Sequence, residues 1–228
     1  MEDRKKRILV VAAHPDDEIL GSGGTVARLI AEGNEAYTLI LGEGITSRYP
    51  KGSNKMEKDL KALRKAMERA NRIIGIKKIF PLNFPDNRFD AVPTLDIVKN
   101  IEAVKNRIKP QIIFTHHWRD LNIDHRVTFN AVLTACRPIE EETVSEIYSF
   151  EIPSSTEWNY PYTFAPNLFV DITATLSRKI AAMKCYTTEL RKFPHPRSVE
   201  AIRSIAKRWG SVASKKSAEA FEIVRMIK

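Results

Sequence analysis

ILVVAAHPDDEILGSGG, from Ile8 to Gly24, decides how this 228-residue chain is read. An apolar run of this length bounded by Pro and Gly is the pattern of a buried parallel strand, and the amphipathic helix that follows makes it the start of a βαβ crossover. Chemistry is therefore expected where the strand meets the helix. Packing His14, Asp16, Asp17 and Glu18 into one turn costs desolvation and charge repulsion unless a cation or a reaction uses them. The glycines at 21, 23 and 24 do not form GxGxxG, and acidic groups stand where a pyrophosphate would lie, so a dinucleotide site is discarded. The residues fit a divalent metal instead: His14 and Asp17 offer N and O donors to one side, and Asp16 faces the same cavity without being a ligand.

Working outward, Thr25 to Glu32 has helical spacing and stops at Gly33, and Glu35 to Leu41 reads as a second strand. The loop GEGITSRYPKGSN after it is longer than a connection needs, which marks it as functional, and its Arg48 is a candidate substrate contact. Asn54 to Ile74 is an amphipathic helix closed by Gly75, Lys78 to Leu82 a third strand, and FPDNRFDAVP a turn-rich segment carrying Asn87. Thr94 to Ile108 is a further helix. Gln111 to Thr115 is the fourth strand, delivering HHWRDLNIDHR before a helix over residues 126–137. In open parallel sheets the crevice lies beyond the carboxyl ends of the strands, so His14, Arg48, Asn87 and the stretch from His116 to His125 should converge. Val144 to Ile152 and Leu168 to Ile172 read as strands flanking a Ser, Thr and aromatic loop, with Glu151 to Trp158 near the pocket. Thr175 to Arg191 and Ser198 to Ile227 read as helices. The expected fold is α/β, a three-layer Rossmann-like architecture with a mostly parallel sheet and helices on both faces, forming a single domain over residues 1–228.

Composition narrows the partners. The formal charge is +9, but the Lys and Arg residues lie mainly on helix faces, interspersed with Glu57, Asp59 and Glu68 and without an interleaved aromatic stacking pattern, so no nucleic-acid partner is expected. The charged N-terminus, MEDRKKR, leads straight into a strand, and no apolar run is long enough to span a bilayer; a cytoplasmic protein with no membrane span is the expectation. Cys136 and Cys185 read as reduced, packed thiols.

With AHPDDE after the first strand and NIDHR after the fourth, the chain resembles the LmbE-like or PIG-L family of metal-dependent N-deacetylases. PDNRFD, EIPSSTEW, KCYTTEL and the C-terminal AEAF extend the likeness over essentially the whole chain. The resemblance implies metal ligands at His14, Asp17 and His125, Asp16 as general base, and Asp124 as a residue that orients the site; Asp124 also suits a helix cap. Many relatives carry His where this chain has Asn122, so the oxyanion donor or acid is sought at Asn122, His116 or His117. Zinc is the expected ion from the ligand types, with Fe2+ the alternative. The implied substrate is an N-acetylated amino sugar or sugar conjugate, with Arg48, Asn87, Glu151 and Trp158 lining its pocket, and the family resemblance also implies a homo-oligomer. Two other readings are kept: a metal-dependent hydrolase of another bond, such as a phosphoester, and a non-enzymatic basic nucleic-acid-binding protein.

Overall fold

Alternation along β1 (Arg7–Ala12) builds the layers. Ile8, Val10 and Ala12 enter one apolar cluster, Leu9, Val11 and the following Ala13 enter another, and all are at most 1 % exposed. A strand buried on both faces needs helices on both. In the computed structural model, which describes residues 5–50 and 53–228, the first cluster is completed by α1 (Asp17–Ala31), α2 (Asn54–Ile74), α5 (Leu176–Met183) and α6 (Val199–Val212). The second is completed by α3 (Thr94–Ile108) and α4 (Ile123–Ala135). Residues 1–4 of the charged N-terminus, and Lys51 and Gly52 of the second-strand loop, lie outside the described residues.

Between the helical layers is a seven-stranded sheet in the order β3-β2-β1-β4-β5-β7-β6. The remaining strands are β2 (Glu35–Gly42), β3 (Lys78–Phe84), β4 (Ile112–His116), β5 (Glu146–Phe150), β6 (Leu168–Asp171) and β7 (Ala218–Met226). The first five run parallel, in register Val10↔Thr38 on one side of β1 and Val10↔Phe114 on the other. From β1 the chain winds outward through β2 to β3, then returns to place β4 on the opposite side of β1. That reversal opens a crevice beyond the carboxyl ends of β1 and β4, where the HPDD turn and NIDHR stand.

The C-terminus corrects the sequence-based expectation. Helix α6 ends at Val212, and AEAFEIVRM is the antiparallel strand β7, inserted between β5 and β6 with Phe221 opposite both Phe150 and Leu168. Ala and Glu favour helices in isolation, but here two neighbouring strands offer hydrogen-bonding edges and Ala218 and Ala220 pack on Trp209 and Phe164. Glu219 is buried on this strand because it accepts from the N–H groups of Gly24 (2.9 Å) and Thr25 (2.6 Å) and from Lys179 Nζ (2.6 Å). Helix α5 also stops early, at Met183 rather than Arg191, and turns fill the interval before α6. The glycine run is not a loop: α1 begins at Asp17 and contains it. A Cβ on Gly21 would lie 2.3 Å from the Phe150 ring, so the glycine lets α1 lie directly on β5.

Candidate metal centre and active site

Asp17 is the hub. Its Oδ2 accepts the His14 backbone N–H at 2.9 Å and lies 3.3 Å from His14 Nδ1, 3.3 Å from His125 Nε2 and 3.6 Å from His116 Nε2. Ligand atoms of His14, Asp17 and His125 all lie within 4.8 Å of one another, and the three side chains are buried. Asp17 Oδ1 and His125 Nε2 are enclosed and make no hydrogen bond. Buried polar atoms are normally paired, so these orphaned donors, with the N, O, N ligand set, fit a divalent cation.

Each imidazole is oriented from behind. His14 Nε2 donates to Asp124 Oδ2 at 2.8 Å, and His125 Nδ1 lies 3.0 Å from Asp120 Oδ1. Asp124 is itself fixed by the N–H groups of Asn87 (2.7 Å) and Phe89 (2.9 Å). It therefore orients His14, not the adjacent His125, and it does not cap α4: Asn122 is the cap, its Oδ1 accepting from Asp124 N at 2.8 Å. Burial would push His14 down, but the Asp124 and Asp17 carboxylates outweigh it and raise its pKa to about 10. His125 is raised in the same way to about 9, by Asp17 and Asp120 against burial. Metal-ligating histidines commonly lean on carboxylates in this manner. Among the described residues a second group of donors is His14, Asp86 and Asp124; both carboxylates approach His14 Nε2, Asp86 Oδ1 at 3.4 Å, and Asp124 already occupies that atom at 2.8 Å.

Asp16 stands beside the hub with φ 108°, a backbone conformation rare outside glycine. Its carboxylate is buried and pushed well above the usual range, by burial foremost and by Asp17, Glu189 and Glu18, with Arg197 opposing. The N-terminal side of the turn is held by Glu18, which accepts Asp16 N (2.9 Å), Asn71 Nδ2 (2.8 Å) and the Tyr186 hydroxyl (2.5 Å).

Of the remaining candidates, Asn87 and Asn122 meet at the mouth, Asn122 Nδ2 donating to Asn87 Oδ1 at 3.2 Å. Arg48 reaches the same rim but is engaged bidentately by Glu189, at 2.9 and 2.7 Å. Trp158 is half exposed and packs edge-on against His195. His117 does not join the cluster; its Nε2 lies 3.3 Å from Glu222 of β7, and its ring packs against Phe164. His116 accepts the Ala13 N–H at 2.9 Å and is held neutral by burial and by neighbouring His125. Glu151 turns from the cluster to accept from Trp209 Nε1 (2.5 Å) and the Tyr162 hydroxyl (3.0 Å). Sequence reasoning missed Asp86, Asp120, Glu189 and Arg197. Asp120, Asp86 and Glu189 each had a local signal, lying within HHWRDLNIDHR, PDNRFD and KCYTTEL; Arg197 arrives from a turn far along the chain that no quoted motif includes.

Residues 9–136, which hold the whole donor cluster, match the PIG-L family, described as GlcNAc-PI de-N-acetylase. The chain belongs to this family. It is thus an enzyme of a deacetylase family. Over 227 residues it is 27% identical to diacetylchitobiose deacetylase of Thermococcus kodakarensis, covering 96% of this chain and 83% of that one. A more divergent chemistry occurs among its relatives too: 4-oxalmesaconate hydratase of Pseudomonas putida is 25% identical over 201 residues, 81% of this chain and 74% of that one. The crystal structure of a conserved protein from Thermus thermophilus superposes with a TM-score of 0.78 at 26% identity, covering 98% of this chain and 96% of that one.

Proposed function

We propose that this PIG-L enzyme is a zinc-dependent hydrolase that removes an N-acetyl or other short N-acyl group from an amino-sugar-containing small molecule. The observation that supports it most directly is the buried set His14, Asp17 and His125, with both imidazoles backed by carboxylates and Asp16 alongside. His14 Nδ1, one Asp17 oxygen and His125 Nε2 would hold the ion, with Fe2+ an alternative to zinc. When bound, such an ion lowers the pKa of water and polarises a carbonyl oxygen.

The chain's own groups do the rest. Asp16 takes a proton from the water that attacks the amide carbon, and its raised proton affinity suits it to return that proton to the leaving nitrogen. The C–N bond breaks, giving a short carboxylic acid and a free amine. Asn122 is anchored through Oδ1 as a helix cap and keeps Nδ2 at the mouth, where it donates to the developing oxyanion. Asn87 and Arg48 contact the substrate's hydroxyls at the rim, and the exposed Trp158 ring stacks on a sugar face. His117 and Glu151 have no part in this reading, since each is committed elsewhere.

The test is elemental analysis of the purified protein together with a panel of N-acetylated sugars, glycosides and nucleotide-linked sugars, assayed for free amine and acetate. Metal-dependent amine release is the expected result. Because one relative is a hydratase, the panel includes an unsaturated carboxylate as well as a phosphoester; turnover of either of these in place of the amides would overturn the proposal.

A further inference from the structure

Asp16 occupies the N-cap of α1, where an aspartate ordinarily turns its carboxylate onto the free N–H groups of the first turn. Here the side chain makes no such bond. The freed carboxylate lies buried among Asp17, Glu18 and Glu189, all of which repel its charge. Among the described residues the cation that touches it is Arg197, whose Nη1 donates to Asp16 Oδ2 at 3.0 Å from 181 positions away. The other edge of the guanidinium is tied to the loop after β5, Nε donating to Ser154 Oγ at 2.8 Å and to Pro153 O at 3.3 Å. Glu189 stands behind it, 3.7 Å from Arg197 Nη1, and is itself clamped by both Nη atoms of Arg48. Asp16, Arg197, Glu189 and Arg48 therefore form a chain of alternating charge from the buried turn to the rim.

We propose that Arg197 is the positioning residue of the site: it sets the direction of the Asp16 carboxylate, and the Glu189–Arg48 pair fixes Arg197 in turn. The proposal rests on the reading of Asp16 as general base. It gives Arg48 a supporting role beyond any contact with substrate. The planar fork of Arg permits the arrangement, because one edge holds the loop while another atom holds the base; a lysine ammonium has one point of attachment. A base displaced by about 1 Å loses on the order of 10²-fold in rate.

The experiment compares wild type with Arg197→Ala, Arg197→Lys and Glu189→Gln, each loaded with zinc, by crystallography, metal content and kinetics on an acetylated sugar that wild type cleaves. The expected result for Arg197→Ala is full zinc content, an Asp16 carboxylate rotated away from its wild-type direction, and kcat lowered on the order of 10²-fold with KM nearly unchanged. Arg197→Lys recovers part of kcat, and Glu189→Gln has a smaller effect in the same sense. An unmoved Asp16 carboxylate in Arg197→Ala overturns the proposal, as does a loss confined to KM or one that follows zinc content. The crystallographic result decides the positioning role even if wild type cleaves no amide, an outcome that would instead remove the functional reading. Arg197→Gln is judged by the same criteria should the alanine variant not fold.

Discussion

Replacing Asp120 by asparagine isolates the electrostatic part of the donor cluster. Asp120 Oδ1 accepts Asn122 N at 2.8 Å and the Ser155 hydroxyl and lies 3.0 Å from His125 Nδ1, while Oδ2 accepts the Thr156 hydroxyl at 2.6 Å. In Asp120→Asn the amide oxygen keeps the Oδ1 contacts. The new Nδ2 donates to Thr156 Oγ1, which already accepts the Ile152 N–H at 2.7 Å, so the loop after β5 stays docked and the Thr156 hydroxyl proton alone loses its acceptor. What disappears is the negative charge facing His125, the charge that helps to make this imidazole a strong donor. Loss of a carboxylate behind a metal-ligating histidine costs about 10- to 100-fold in metal affinity, equivalent to about 1.4 to 2.8 kcal/mol. The assay is competition for Zn2+ against a chromogenic chelator, run beside thermal melting of the metal-free protein. The expected outcome is weakened zinc binding with a much smaller change in the metal-free melt. Zinc affinity within about twofold of wild type would refute the orienting role of Asp120, for which the expected loss is at least about tenfold; an equally large loss of metal-free stability would mean that the residue matters only as a loop anchor.

Three further outcomes are expected. Asp17→Asn should lose zinc, because a neutral amide replaces the one anionic ligand, whereas Asp16→Asn should keep zinc and lose on the order of 10²-fold or more in kcat; metal content and amine release on both variants check this, and the reversed pattern would exchange the two roles. In the metal-free protein His14 and His125 have pKa values raised to about 10 and about 9, so both are charged at pH 7 and must shed protons to ligate. Zinc affinity should therefore rise with pH up to about 10, less steeply above about 9, with about two protons released at pH 7, as measured by calorimetry in buffers of different ionisation enthalpy; release of none would contradict the charge state. Gly21→Ala places a methyl 2.3 Å from a ring carbon of Phe150, which is fully buried, and should cost about 1–3 kcal/mol of stability by overpacking, read as a lower melting temperature.

How much of this protein was legible in one dimension depended on the range of the forces involved. The strand at Ile8, the helix from Asn54 to Ile74 with its left-handed Gly75 cap, and the α/β alternation follow from local periodicity and capping, which act over a few residues. His14 and Asp17 were legible because they share one turn, and the stretch after β4 was expected beside that turn in a parallel sheet, whereas His125 was singled out there as the third ligand by the family resemblance. Sequence by itself thus determined the scaffold class and the types of atom facing the crevice. Tertiary structure decided what each of those atoms is tied to. It made Asp124 the partner of His14 rather than a helix cap, committed His117 to Glu222, and turned AEAFEIVRM into a strand against its helical composition. It also brought to Asp16 both Glu189, from the KCYTTEL stretch, and Arg197, from a turn that no local pattern marks. Propensity and spacing are properties of neighbours in the chain, whereas the pairing of buried charges is enforced by desolvation across the fold, between residues that meet only once the layers have closed.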